Sequence, residues 1–289
     1  MWKAHIEKSI GRRRIATLTP YEVERYFRQL KSAGCGRETV RYVRSVLNRA
    51  CRLARKWSNS TLPNPIADTE LPSWNIDERA KPVRSPSVPE VQRLLAKAIE
   101  LDPRFATCLR VIAATGMRRS EACALRWSDL DWKKRTIVID EAVVAGEGGA
   151  TVKTPKTRAS IRTIALDQGT IEWLDKLRSE QERLAVDSGT VVGPSSFVFS
   201  AEPGGAIPPH PDSISHAFAK SRQAAKLPKD IHLHSLRHFQ ATSLDAVIPE
   251  RQKQARLGWS TVHMARHYTD AVSAEDERAA QHIGTLLDS

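Results

Sequence analysis

The chain has 289 residues, with 45 Lys and Arg against 33 Asp and Glu and a net charge of +12, which gives a pI near 9.8. That balance asks for a polyanionic partner, nucleic acid first and an anionic membrane surface second. No apolar run approaches the ~18 residues of a membrane span, and residues 1–14 lack the apolar centre of a signal peptide, so the expected setting is the cytoplasm.

Thr19-Pro20-Tyr21-Glu22 combines a capping residue, a proline at the first helical position and a glutamate three residues after the cap. Val23, Tyr26, Phe27 and Leu30 follow at helical spacing, and a helix begins there. A second helix spans about Arg37 to Lys56, with Val40, Val43, Leu47, Ala50 and Ala54 on one face and Arg37, Arg41, Arg44, Arg52 and Arg55 on another. The arginine stripe fits a DNA groove or an ordinary solvated face, and both readings stand. Pro63, Pro65, Pro72, Pro82, Pro86 and Pro89 exclude a continuous helix or central strand between Thr61 and Pro89. The expected organisation is a helical DNA-binding domain over 1–66, a linker over 67–86 and a second domain over 87–289, with Lys81 and Arg84 as further DNA-binding candidates.

Ser87-Val88-Pro89-Glu90 repeats the capping pattern, and a mostly helical stretch follows to Arg126. Between Arg135 and Leu166 the period changes to that of strands, at Thr136 to Ile139, Val143 to Val144 and Ile161 to Leu166, interrupted by Gly146, Gly148 and Gly149. From Glu172 onward helices return, at Ser213 to Ala225, Ser235 to Val247 and Val262 to Tyr268. The fold class is therefore mainly α with a small β-sheet, an α+β second domain dominated by helix. Cys35, Cys51, Cys108 and Cys123 contain no CxxC pair and read as buried thiols.

Cutting a phosphodiester without metal needs cationic donors on the non-bridging oxygens, a nucleophile, and an acid for the departing oxygen. Arg118 lies at a helix start, where backbone N–H groups favour an anion, and Glu121 one turn on can fix its guanidinium. His234 and Arg237, three apart, project from one helical face. Two guanidiniums offer parallel hydrogen bonds to phosphate oxygens. Tyr268 is the one tyrosine outside the first domain's helices. Only about one phenol in a thousand is ionised at pH ~7, so it needs neighbouring cations and His234 as proton acceptor. Lys156 sits in a turn between two predicted strands and can protonate the 5′ oxygen, with Lys153 and Arg158 as rivals. Each motif taken alone has a bland reading: a basic pair at a helix end, a surface HxxR, a tyrosine closing a late helix. Five of the nine histidines fall between His232 and His267, but no HExxH, cysteine or carboxylate pair accompanies them, and no metal site is expected. The glycines before Lys153 miss the Walker spacing, so no nucleotide cofactor is expected either.

The ordered set Arg118, Lys156, His234, Arg237, Trp259 and Tyr268 resembles the tyrosine recombinases, specifically the phage-type integrases. Thr115 to Asp131 is similar to that family's first arginine box, Thr154 to Leu166 to its lysine hairpin, and Ile231 to Thr242 with Arg256 to Asp270 to its second box. Thr19 to Ala67 resembles its helical core-binding domain, so the likeness spans nearly the whole chain. The resemblance implies a site-specific DNA recombinase in which Tyr268 attacks the scissile phosphate, giving a 3′ phosphotyrosine link and a free 5′ hydroxyl. Arg118 and Arg237 would stabilise the pentacoordinate phosphate, Lys156 would act as general acid, His234 would handle the tyrosine proton, and Trp259 and Glu121 would support the site.

The resemblance further implies no cofactor, a homotetramer on two duplex attachment sites with core-type inverted repeats, and an accessory DNA-bending or directionality protein as a further partner. Trp259 stands where many relatives carry histidine; it keeps one donor but cannot transfer a proton. Ser235 and Ala165 replace a usual aspartate and proline. Larger members carry an amino-terminal arm-site domain, for which the residues before Thr19 are too few. The tail from Ser273 to Leu287, with Ala279, Ile283 and Leu286 on one face, suits docking on a neighbouring protomer or on its own domain. A type IB topoisomerase and a non-catalytic DNA-binding repressor are the competing function classes.

Overall fold

The computed structural model describes residues 2–59, 61–75, 84–146, 149–154, 161–245, 247–258 and 274–288. Two compact units divide the chain, Met1–Pro82 and Val83–Ser289.

In the first unit, helix α1 (Pro20–Ser32) begins at Thr19, whose backbone N donates to Glu22 Oε2 at 3.0 Å while Glu22 N donates back to Thr19 Oγ1 at 3.3 Å. Helix α2 (Arg37–Trp57) buries Val40, Val43, Leu47 and Cys51. With Val23, Phe27 and Leu30 of α1 and Ile6, Ile10 and Ile66 from the flanking segments, they form one core. The apolar face of α2 is thus rotated from the expected one: Cys51 lies inside and Ala50 is exposed. Residues 67–75, assigned to a linker from sequence, pack on this unit instead. Thr69 is buried, Leu71 and Trp74 cover the core, and Lys31 Nζ donates to Ser73 O at 2.9 Å. Proline stops helices and central strands but leaves a segment free to lie on a surface.

In the second unit, α3 (Val88–Leu101) starts from the Ser87–Glu90 capping box. It packs against α4 (Pro103–Thr115), which is buried along its length from Ala106 to Thr115. Then come α5 (Arg119–Ala124), β1 (Leu130–Asp131), β2 (Thr136–Ile139), β3 (Ala142–Gly146), β4 (Gly149–Lys153) and β5 (Arg162–Ala165). The strands form a three-stranded antiparallel sheet of order β1-β2-β5 and a separate β3-β4 hairpin. Ile137 faces Ile164 and Ile139 faces Arg162 across β2 and β5. Helices α6 (Gln168–Asp187), α7 (Pro211–Ala224), α8 (Leu233–Ser243), α9 (Glu250–Leu257) and α10 (Ala274–Asp288) complete it.

Helix α10 lies on its own unit, with Ala279, Ile283 and Leu287 in the main core. Arg110, 1% exposed, donates to Asp288 at 2.7 Å and to Asp167 at 3.0 Å. Of the two arrangements open to this tail, the single chain shows packing on its own domain: the apolar face of α10 is covered by α3, α4, α6 and β5. All four cysteines are free, Cys51, Cys108 and Cys123 buried and Cys35 half-buried. Among the described residues no helix is long and apolar enough to cross a membrane.

Candidate active site

Helix α4 stops at Gly116, whose φ of +65° is the left-handed conformation glycine takes without strain. A side chain there would run into Gln240 and Leu257. The chain then enters α5 with Arg118 at its N-cap. Glu121 Oε2 accepts from the Arg118 backbone N at 2.7 Å, and Oε1 accepts from its Nη1 at 2.8 Å. One buried carboxylate thus fixes both the helix start and the guanidinium. Arg118 itself remains 44% exposed.

On α8, Arg237 is 3% exposed, and its Nη1 and Nη2 donate to the carbonyls of Gly116 and Leu257. These bonds set the plane of its guanidinium and tie α8 to the ends of α4 and α9. His234, one turn earlier, is exposed and meets His238 edge-on, with ring centroids 5.0 Å apart.

The carbonyl end of α9 gathers the cations. Arg256 O accepts from Arg162 Nε at 2.9 Å, Leu257 O from Arg237 Nη2, and Gly258 O from Arg118 Nη2 at 3.4 Å. The last carbonyls of a helix lack partners within it and carry partial negative charge, which draws guanidiniums. Glu121 supplies a full negative charge among them: Arg162 Nη2 donates to its Oε2 at 2.8 Å and Nη1 to its Oε1 at 3.3 Å.

In front of this array opens a cleft of about 530 Å³, lined by Arg118, Arg119, Arg222, His232, His234 and Arg237 among others. Burial pushes the Glu121 carboxyl up, but Arg162 and then Arg118 more than offset it, and the group stays below the usual carboxylate range. Burial, reinforced by the charges of Arg118 and Arg162, brings Arg237 down to about 10, still charged at neutral pH. Partial loss of water around an otherwise exposed ring, then the charges of His238, Arg237 and Arg118, hold His234 below its ordinary 6.5. Its ring is therefore neutral near pH ~7 and able to take a proton.

The structure brings together four sequence-predicted residues, Arg118, Glu121, His234 and Arg237. Lys156, Trp259, Tyr268 and Lys81 lie outside the described residues. Arg84 pairs with Glu90 at 2.7 Å. Of the stripe on α2, Arg37, Arg41, Arg52 and Arg55 are exposed, whereas Arg44 is half-buried and donates to Thr69 Oγ1 at 3.4 Å and Ala67 O at 3.5 Å. Arg44 therefore holds the segment after Ile66 against α2 and is withdrawn from the stripe.

Sequence reasoning missed Arg162, Arg256 and Arg119. Arg256 is buried and joins Asp276 of α10 to the carbonyls of Ala114 at 3.0 Å and Ala165 at 3.1 Å. Arg119 donates to Ser215 Oγ at 2.6 Å and Asp212 at 3.2 Å at the cleft wall. A signal for Arg162 did exist: it shares the inward face of β5 with Ile164 at a spacing of two. Among the described residues no group of three or more His, Cys, Asp or Glu side chains is placed to hold a metal ion.

A family model described as the phage integrase family matches residues 87–275. A protein called tyrosine recombinase XerC-like, from Caldanaerobacter subterraneus subsp. tengcongensis, is 22% identical over 95% of this chain and 73% of its own length. In fold, the chain is similar to the Tn1549 transposon integrase solved with a circular intermediate DNA, with a TM-score of 0.69 at 18% identity over 94% of this chain and 89% of that one. It is similar also to lambda integrase solved as a tetramer on a Holliday junction, with a TM-score of 0.59 at 19% identity over 94% of this chain and 69% of that one. The matched span contains all the elements that build the cleft, from Arg118 of α5 to the carbonyl end of α9, and the chain belongs to the phage integrase family of tyrosine recombinases.

Proposed function

We propose that this chain cuts and rejoins DNA at specific sites through a covalent link to Tyr268, integrating or excising mobile DNA in a bacterial cytoplasm. The observation that carries this reading is the convergence of Arg118, Arg237 and His234 on one open, strongly cationic cleft. A phosphodiester seated there has its non-bridging oxygens on the two guanidiniums. The Tyr268 oxygen bonds to phosphorus as its proton passes to His234, and the bond from phosphorus to the 5′ oxygen breaks. Lys156 delivers a proton to that oxygen, leaving a 5′ hydroxyl and a 3′ phosphotyrosine. Attack by the 5′ hydroxyl of a partner strand reverses each step, so the bond energy is conserved through the exchange. Glu121 holds Arg118 throughout, and Trp259 supports the phosphate with its N–H.

Four copies acting on two duplexes accomplish the exchange, in the manner of lambda integrase, which was solved as a tetramer on a Holliday junction. The exposed arginines of α2 grip the duplex backbone, and an accessory bending or directionality protein completes the assembly.

A randomised pool of nicked duplexes, from which covalently held molecules are recovered and sequenced, supplies a core site. Two duplexes of different length carrying that core then exchange strands when mixed with the chain; relaxation of a supercoil without exchange contradicts recombination. Duplex affinity falls steeply with salt, by about 10³ to 10⁵ between roughly 50 and 200 mM for ~6–10 phosphate contacts, as a titration by fluorescence anisotropy measures. The single-turnover cleavage rate decreases as pH drops below 6.5 and His234 takes up a proton. Affinity does not decrease with it, because the added charge favours DNA. His234→Gln flattens that limb of the rate profile.

A further inference from the structure

Three guanidiniums converge on the end of α9, but they are not equivalent. Arg118 and Arg237 line the cleft. Arg162 stands behind them, 6% exposed, on the inward face of β5. Its position is unusual for a cation: it faces Glu121 through both Nη atoms, in the paired fork geometry that makes arginine–carboxylate contacts strong. The third nitrogen, Nε, reaches Arg256 O at the end of α9. Gly258 adopts a φ of +62°, and a side-chain carbon there would lie 3.1 Å from Arg162 Nη1. The Arg162 guanidinium is thus packed between the carboxylate that orients Arg118 and the turn whose carbonyls receive Arg118 and Arg237.

We infer that Arg162 is a positioning residue for strand cleavage, holding Glu121 and the carbonyl end of α9 in register so that Arg118 and Arg237 present their N–H groups to one phosphate. Without it, Glu121 keeps only Arg118, and that arginine is drawn towards the carboxylate rather than the cleft. The turn at Gly258 also loses the packing surface that fixes its carbonyl. Like-charge repulsion among the arginines makes this cradle necessary: one carboxylate and one helix end balance three cations. A lysine at 162 retains the charge and loses the fork, since its ammonium cannot bridge two carboxylate oxygens and a carbonyl in one plane.

This assignment rests on the cleavage reading of the same cleft. The test therefore uses the full chain and a nicked duplex recovered by covalent capture with the unaltered protein. If the unaltered chain captures no duplex, the cleavage reading itself fails, and that outcome is separate from anything Arg162 does.

Given capture, the duplex Kd and the single-turnover rate of adduct formation are measured for Arg162→Lys, Arg162→Gln, Glu121→Gln and the double variant Glu121→Gln/Arg162→Gln, with thermal unfolding of each. The expected result is a rate lowered by roughly 10- to 100-fold in Arg162→Lys, the scale of losing an outer partner of a reactive group, with Kd within about threefold. The double variant is no slower than the worse single variant, because both act through one pair. An unchanged rate in Arg162→Lys overturns the proposal. So does a rate loss matched by an equal loss of affinity, additive losses in the double variant, or an unfolded Arg162→Lys, which would make Arg162 a scaffold residue only.

Discussion

Arg237→Ala lowers the rate of covalent attachment to DNA by about 10² to 10³, roughly 2.7–4 kcal/mol of barrier, the scale of removing one preorganised donor from a developing oxyanion. It also destabilises the fold. Arg237 is 3% exposed and its guanidinium donates to the carbonyls of Gly116 and Leu257, and each carbonyl left unpaired in the interior costs about 1–3 kcal/mol. At roughly 2–4 °C per kcal/mol for a domain of this size, the lowered Tm is well resolved by calorimetry.

Arg118→Ala separates the two effects. Arg118 is 44% exposed, and Glu121 retains Arg162 at 2.8 and 3.3 Å when it is gone, so the rate drops as far with little change in Tm. Equal Tm losses in both variants would contradict the division of labour read from the structure. Arg237→Lys keeps a charge but cannot span two carbonyls and a phosphate, and recovers only part of the rate.

Tyr268→Phe abolishes covalent attachment altogether while duplex affinity changes by no more than about threefold, because phenol oxygen chemistry is lost and phosphate gripping by arginine is retained. The remaining tyrosines supply the control. Tyr26 is buried at 7% exposure, and Tyr21 and Tyr42 are exposed at 66% and 55% on α1 and α2 of the first unit. Tyr21→Phe and Tyr42→Phe therefore form adducts at the unaltered rate. Adducts persisting in Tyr268→Phe, read on a denaturing gel, would move the nucleophile elsewhere.

What was legible in the sequence follows the range of the interactions. The starts of α1 and α3 were readable because capping boxes are complete within four residues. The pairs Arg118–Glu121 and His234–Arg237 were readable for the same reason. The partnership of Glu121 with Arg162, 41 residues away, has no local mark: the spacing of two from Ile164 puts Arg162 on the inward face of β5 but names no partner for it.

Helix α9 escaped detection because its buried residues are Lys253, Arg256 and Leu257; a helix whose inward face is cationic shows no apolar stripe. Strand β4 carries no apolar stripe that marks it in the sequence, since it opens on Gly149 and alternates only between exposed and half-buried positions. The apolar face of α10 was visible, but which surface covers it depends on α3, α4, α6 and β5 together, and no local pattern encodes that. The shift from Ala50 to Cys51 on α2 is a rotation of one residue, which periodicity alone does not resolve when alanine and cysteine compete for the same edge of the stripe.

The most direct measurement is the identity of the residue that carries DNA. The chain is incubated with a nicked duplex that loses its short 5′ strand on cleavage, the complex is digested, and the nucleotide-bearing peptide is sequenced by mass spectrometry. Attachment of a 3′ phosphate to Tyr268 is the predicted result. A tight complex with no covalent peptide, or attachment at any other residue, would contradict strand cleavage by Tyr268 in the arginine-lined cleft.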